Sequence, residues 1–189
     1  VYDFKREELT DLEDMAQKSL IDLFYGGETY IIGEVYVPYG WQFPSEKVFM
    51  LVEKGHKVNV FGLIDRQNKC YWAATGENID SLFVMEQLDD LSLMFRKETF
   101  VVLDNASVHK SKLIGERLPF WQKRGIFVFY LPTYSPQLNI AETLWWHLKG
   151  GYLKPDDYVE KDSLSYAVNR CMANIGINCK IKFSPFNAN

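Results

Sequence analysis

Residues 99–104, TFVVLD, form a short, wholly apolar run that ends in an acid. Such a run is typical of a central strand buried on both faces. A second run of the same kind, GIFVFYL (125–131), follows a helical stretch at about 110–122. Between residues 79 and 94 the apolar positions Leu82, Phe83, Met85, Leu88, Leu91 and Met94 recur every three or four residues, a helix with Asn78 or Asp80 near its cap. Further upstream, HKVNVFGLID (56–65) and KCYWAAT (69–75) are β-rich and joined by Arg66-Gln67-Asn68, the pattern of a hairpin. LIDLFYGGETYII (20–32) is a strand candidate over 20–25 that runs into a double glycine. YIIGEVYVPYGW (30–41) suggests a second strand leaving through a turn at Pro38–Trp41. Loose helical spacing marks 7–20, and further helices are expected over 140–149 and 163–175. Hairpins first, then alternating helices and strands, is the order of an α/β fold. The expectation is a mixed five-stranded sheet, an antiparallel meander followed by parallel strands, flanked by helices.

The 189 residues, 47% of them apolar, suit a single domain with one substantial core. The expected division is a helical lead-in over 1–19, a core over 20–150 and a C-terminal helical extension over 151–189. The sequence contains no apolar run long enough to span a membrane and no charged-then-apolar leader. Cys70, Cys171 and Cys179 are odd in number, far apart and without CxxC spacing, so they read as reduced thiols of a cytoplasmic protein. A net charge of -4 argues against a broad, sequence-independent grip on a phosphate backbone. A nucleic-acid partner then requires local basic patches or a separate domain.

Asp104 stands where ligands collect in open α/β sheets, beyond the carboxyl end of a strand. It also fits a structural role, capping the helix that starts near residue 110. His109, at that helix start, reads as a surface or capping residue as readily as a functional one. Asn139-Ile140-Ala141-Glu142 matches a capping-box-like start, in which Glu142 bonds back to the cap. What raises Glu142 is the loop before it, LPTYSPQLN (131–139), which brings this helix start beside the end of the Asp104 strand.

VVLDNASVHKSK (101–112) and VFYLPTYSPQLNIAETLWWHLK (128–149) together resemble the catalytic domain of DDE-type transposases, in the insertion-sequence branch of the Tc/mariner superfamily. In that family a strand-end Asp is followed by Asn and, four residues on, His, matching Asp104, Asn105 and His109. The last acid lies in Tyr-Ser-Pro-x-Leu-Asn-x-x-Glu, matching Tyr134, Ser135, Pro136, Leu138, Asn139 and Glu142. Between Asp104 and Glu142 lie 37 residues, close to the family's usual spacing. VPYGWQF (37–43) and VNVFGLID (58–65) continue the likeness, which covers roughly residues 20–150. The resemblance implies an RNase H-like fold, with Asn105, His109, Tyr134, Ser135 and Asn139 supporting the two acids. It also implies cut-and-paste DNA transposition by an endonuclease acting at the ends of an insertion sequence. The family's DNA-binding region normally precedes this domain, and the expectation is that this sequence does not include it.

Phosphoryl transfer of this type uses two Mg²⁺ or Mn²⁺ ions about 4 Å apart, one activating the attacking oxygen and one stabilising the leaving oxygen. By resemblance, Asp104 holds one ion and Glu142 the other, while an acid from the first strand bridges both. Alignment of FYGGETY (24–30) puts Gly27 at that bridging position, with Glu28 at the next. Asp22 cannot substitute, since five residues along a strand is about 17 Å and the opposite face. Strand alternation points Glu28 away from the direction of residue 27. Only a bulge at the double glycine would bring Glu28 over as a metal ligand. The expectation is therefore a transposase catalytic domain with weak metal binding and impaired catalysis. The competing expectation is a transposase-derived DNA-binding or interaction protein without catalysis. Lys110, Lys112, Lys123, Arg124 and Lys149 are the candidate contacts to DNA, each equally readable as part of a solvated helix face. A homodimer is the candidate assembly, and the cytoplasm of a prokaryotic cell, at the nucleoid when DNA is bound, the expected place.

Overall fold

Gly26 and Gly27 do not end a strand. In the computed structural model, which describes residues 2–33 and 55–186, they lie inside one eleven-residue strand, β1 (Asp22–Ile32). Its neighbour β2 (Lys57–Ile64) pairs with it antiparallel from Tyr25↔Ile64 to Ile32↔Lys57, without a skipped residue. The bulge that would bring Glu28 over is therefore absent, and Gly27 pairs with another glycine, Gly62. The turn expected at Pro38–Trp41 lies outside the described residues.

β3 (Cys70–Thr75) completes the antiparallel meander with β2, across a tight turn at 66–68 in which Asn68 takes a left-handed φ of 69°. Beyond β3, the helix α2 (Ser81–Met94) is capped by Asp80, whose side chain accepts from the Phe83 N–H. It leads into β4 (Thr99–Leu103), which pairs parallel with β1; α3 (Lys112–Lys123) then leads into β5 (Ile126–Tyr130), parallel to β4. The sheet order is β3-β2-β1-β4-β5, the mixed five-stranded sheet expected from the element order. α1 (Tyr2–Gln17) precedes the sheet; α4 (Ala141–His147), a π turn over Leu148–Tyr152 and α5 (Lys161–Asn174) follow it.

Strand alternation divides the interior into two layers. Phe24, Phe61, Leu63, Val101 and Leu103 pack with α2 and α3 on one face; Tyr25, Val60 and Val102 pack with α1, α4 and α5 on the other. The first layer is tied by Asp89 of α2, which accepts from the Arg117 guanidinium and from the buried Trp121 indole of α3 at 2.7–2.8 Å. Cys70, Cys171 and Cys179 are free thiols. Among the described residues no helix is long and apolar enough to cross a membrane.

Candidate active site

Asp104 is the first residue past β4. Because β1 and β4 are in register at Tyr25↔Val102, position 27 lies level with Asp104 on the adjacent strand. The two share parity with Tyr25 and Val102, so both are directed to the face covered by α4. Asp104 does not cap α3, whose cap is Ser111 accepting from the Ile114 N–H. Instead Asp104 Oδ1 accepts from the Ala106 N–H at 2.9 Å and from His109 Nδ1 at 2.7 Å.

His109 is neither a surface nor a capping residue: it has no exposed surface. Its other nitrogen, Nε2, lies 2.9 Å from Glu28 Oε2, an ion-pair contact without hydrogen-bond alignment. Glu28 reaches this place by ordinary strand alternation, on the side opposite to position 27. Burial pulls the imidazole toward neutrality, but Asp104 and Glu28 outweigh it, and the His109 pKa is raised to about 9. The hydrogen bond from His109 holds the Asp104 carboxyl below the usual range, against partial burial and with help from the Ala106 N–H. The result is a buried imidazolium linking a carboxylate of β1 to the strand-end carboxylate of β4.

Glu142 is in the first turn of α4, which has no side-chain cap hydrogen bond. The capping-box reading therefore fails; Asn139 does the local work, its Oδ1 accepting from the Ala141 N–H and its Nδ2 donating to Gly26 O, both at 3.0 Å. That second bond fastens the start of α4 onto β1 at the double glycine. Glu142 lines one cavity of about 380 Å³ with Asp104, Asn105, Tyr134, Ser135 and Asn139. Partial desolvation and the neighbouring Asp104 carboxylate hold the Glu142 carboxyl above its usual range, with Lys149 opposing. Two carboxylates near enough to repel are a place where a cation is favoured.

The supporting residues divide by role. Asn105 Nδ2 donates to Leu131 O, joining the ends of β4 and β5. Ser135 is buried and donates to Thr133 O at 3.3 Å. Tyr134 is 99% exposed at the lip of the cavity, with a left-handed φ of 57° that a non-glycine residue rarely adopts. Of the basic candidates, Lys149 lies beside Glu142 and over the Tyr30 ring, 5.3 Å from its centroid. Lys110 lies over Tyr130 and Arg124 over Phe120, while Lys112 is exposed 3.7 Å from Glu116 and Lys123 is exposed.

Two features of the site escaped sequence reasoning. One is the Glu28–His109 contact. The other is Trp145 of α4, buried beside the double glycine. Its indole lies across the paired glycines, with Nε1 3.7 Å from where a Cβ on Gly27 would be and Cη2 2.9 Å from where one on Gly62 would be. A larger cavity of about 500 Å³ lies at the opposite end of β1, around Tyr25 and the Glu13–Arg66 ion pair, away from these acids.

The model of the DDE superfamily endonuclease family matches residues 22–165, which takes in both acids, the double glycine and the sheet. The chain belongs to this family. Among solved structures, the Mos1 mariner paired end complex with Mn is 17% identical with a TM-score of 0.53, over 95% of this chain and 62% of that one. The Mos1 transposase paired-end complex with left transposon end is 17% identical with a TM-score of 0.51, over 93% and 61%. The catalytic core domain of BIV integrase is 12% identical with a TM-score of 0.50, over 80% and 81%. The shared fold is the RNase H-like core of transposase and integrase catalytic domains. This DDE chain thus spans about three fifths of the length of the Mos1 chains it matches. A comparison with curated proteins gave no match.

Proposed function

We propose that this chain is the catalytic domain of a DNA transposase, cleaving and joining strands at the ends of a mobile element, with its activity curtailed by Gly27. The observation that carries this is the shared cavity of Asp104 and Glu142, with position 27 level with Asp104 on the adjacent strand and without a side chain. Mg²⁺ and Mn²⁺ prefer hard oxygen donors, and Mg²⁺ commonly takes one or two protein carboxylates and keeps several waters. Asp104 and Glu142 fit one such ion. Nothing at position 27 bridges a second, and among the described residues no group of three or more His, Cys, Asp or Glu side chains is arranged to hold a metal. When bound, the metal supplies an activated attacking hydroxyl and charge compensation on the leaving oxygen.

The remaining work falls to the chain's own groups. His109 and the Ala106 N–H occupy Asp104 Oδ1, which fixes the carboxylate and leaves Oδ2 for a ligand. Lys149 beside Glu142 is suited to a phosphate at the cleft, with Lys110, Lys112, Lys123 and Arg124 as further phosphate contacts along the DNA. The exposed Tyr134 ring at the lip is suited to stacking on an unpaired base. The second reading, a transposase-derived protein that binds DNA without cutting it, rests on Gly27 itself.

Mn²⁺ titration and nicking of an end-labelled oligonucleotide duplex separate these readings. Gly27→Asp is expected to bind Mn²⁺ more tightly than the unaltered chain and to nick DNA, and Asp104→Asn in that background to lose both. DNA binding by both proteins with cleavage by neither favours the second reading. If Gly27→Asp neither binds Mn²⁺ nor cleaves, the assignment of the metal site is wrong.

A further inference from the structure

We infer that Trp145 is a positioning residue whose indole N–H is built to receive a carboxylate oxygen carried by residue 27. This rests on the proposed reading of position 27 as the site's third acid position. Trp145 is only 3% exposed, yet its Nε1 has no hydrogen-bond partner among the described residues. Buried indole N–H groups ordinarily find an acceptor. Here the donor nitrogen lies 3.7 Å from the Cβ position of a residue that has no side chain to offer.

The two glycines beneath the indole differ in kind. At Gly62 a Cβ would meet Trp145 Cη2 at 2.9 Å, so this position is glycine because the ring occupies the space. At Gly27 the nearest atoms to a Cβ are Trp145 Nε1 at 3.7 Å and Asn139 Nδ2 at 3.9 Å, ordinary contact distances to two polar donors. Gly27 is not among the glycines with positive φ, so its backbone is one that any residue adopts. Neither space nor conformation requires glycine there. A carboxylate attached to that Cβ brings an oxygen within hydrogen-bond reach of Nε1.

The donors are also held in place. Asn139 locks the start of α4 to Gly26 O, and Gly62 leaves the space that the indole occupies over the sheet. The indole therefore faces position 27 as part of the packed α4–sheet interface. Asp104, just past β4, is set by His109, and a carboxylate at position 27 would likewise have its own buried nitrogen donor.

The test reads the indole directly, without metal. In ¹H–¹⁵N spectra the Trp145 indole resonance, assigned through Trp145→Phe, is followed in the unaltered chain, in Gly27→Ala and in Gly27→Asp. Gly27→Asp is expected to move that resonance downfield and slow its hydrogen exchange about tenfold or more, as a charge-assisted bond does. Gly27→Ala fills the space without an acceptor and should do neither. A second measurement is Mn²⁺ affinity, which Trp145→Phe should weaken about tenfold in the Gly27→Asp background. Equal indole behaviour in Gly27→Asp and Gly27→Ala overturns the inference, even if Gly27→Asp binds Mn²⁺. An indole response without Mn²⁺ binding upholds it and sinks the metal reading instead. If Trp145→Phe does not fold, assignment through the unaltered chain's other tryptophans leaves the first comparison decisive.

Discussion

His109 makes the protein's stability depend on alkaline pH. Its imidazole is fully buried between Asp104 and Glu28, and its pKa is raised to about 9 from an ordinary 6.5. A group whose folded pKa is raised contributes stability that is complete below its unfolded pKa and is lost as pH climbs through the folded value. At about 1.4 kcal/mol per unit, the loss between pH 6.5 and about 9 amounts to roughly 3 kcal/mol. For a chain of this size, about 2–4 °C per kcal/mol gives a fall in Tm of roughly 6–12 °C. The lowered pKa of Asp104 describes the same contact from the other partner and acts at the acid end, where protonating the carboxylate releases it. It is not added to the alkaline loss. Burial pushes the Cys70 thiol up to about 12, which removes it from the window. The assay is a melting series from pH 5.5 to 10 in metal-free buffers, on the unaltered chain and on His109→Gln. The unaltered chain should lose Tm steeply between 6.5 and 9, while His109→Gln melts lower at pH 6.5 and stays nearly level across that range. A level curve for the unaltered chain, or the same slope in both proteins, refutes the buried imidazolium.

Three further outcomes follow from the packing of α4 on the sheet and from the lip of the cavity. Gly62→Ala should destabilise the fold by about 1–3 kcal/mol in urea unfolding, because its Cβ meets the Trp145 ring, whereas Gly27→Ala should cost less than about 1 kcal/mol. Asn139→Ala removes the bond that joins the start of α4 to Gly26 and the one accepted from the Ala141 N–H, and should cost about 2 kcal/mol or more, leaving Gly26 O buried without its donor. Tyr134→Gly relieves a left-handed backbone and should hold or slightly raise Tm. If the ring stacks on DNA, the same change should weaken single-strand binding, measured by fluorescence anisotropy, by about 1–3 kcal/mol.

What could be read from the sequence was what each segment encodes within itself. β4 and β5 announce themselves because a strand buried on both faces must be apolar throughout, and α2 because its face repeats every three or four residues. Element order then set the topology. The errors came where the meaning of a residue depends on a distant partner. A double glycine is a turn in local terms; only Gly62, 35 residues from Gly27 in the chain and opposite it across β1 and β2, makes it the floor under an indole. Asn139-x-x-Glu142 has the spacing of a capping box, but Asn139 spends its donor on Gly26 O, and that choice is invisible within the helix. His109 looked like a helix-start residue because its burial is created by Phe61 and Glu28 from two other strands.

The two glycines under Trp145 also show why a residue's identity and its reason can separate. Gly62 answers to sterics: any side chain there displaces the ring. Gly27 answers to neither sterics nor backbone conformation, since a Cβ fits and its φ is unexceptional. Its surroundings carry a buried indole donor, an asparagine amide and a cavity with two carboxylates. The Asn139 amide is engaged by Gly26 O, but the indole N–H has no acceptor among the described residues. On the proposed reading, the indole donor and the metal between the acids are what a carboxylate at position 27 would meet. On that reading the fold keeps the complement of such a group in place, because Trp145 packs on Gly62 and Asn139 bonds to Gly26. For that reason a single substitution at position 27 should rebuild the site without rebuilding its supports.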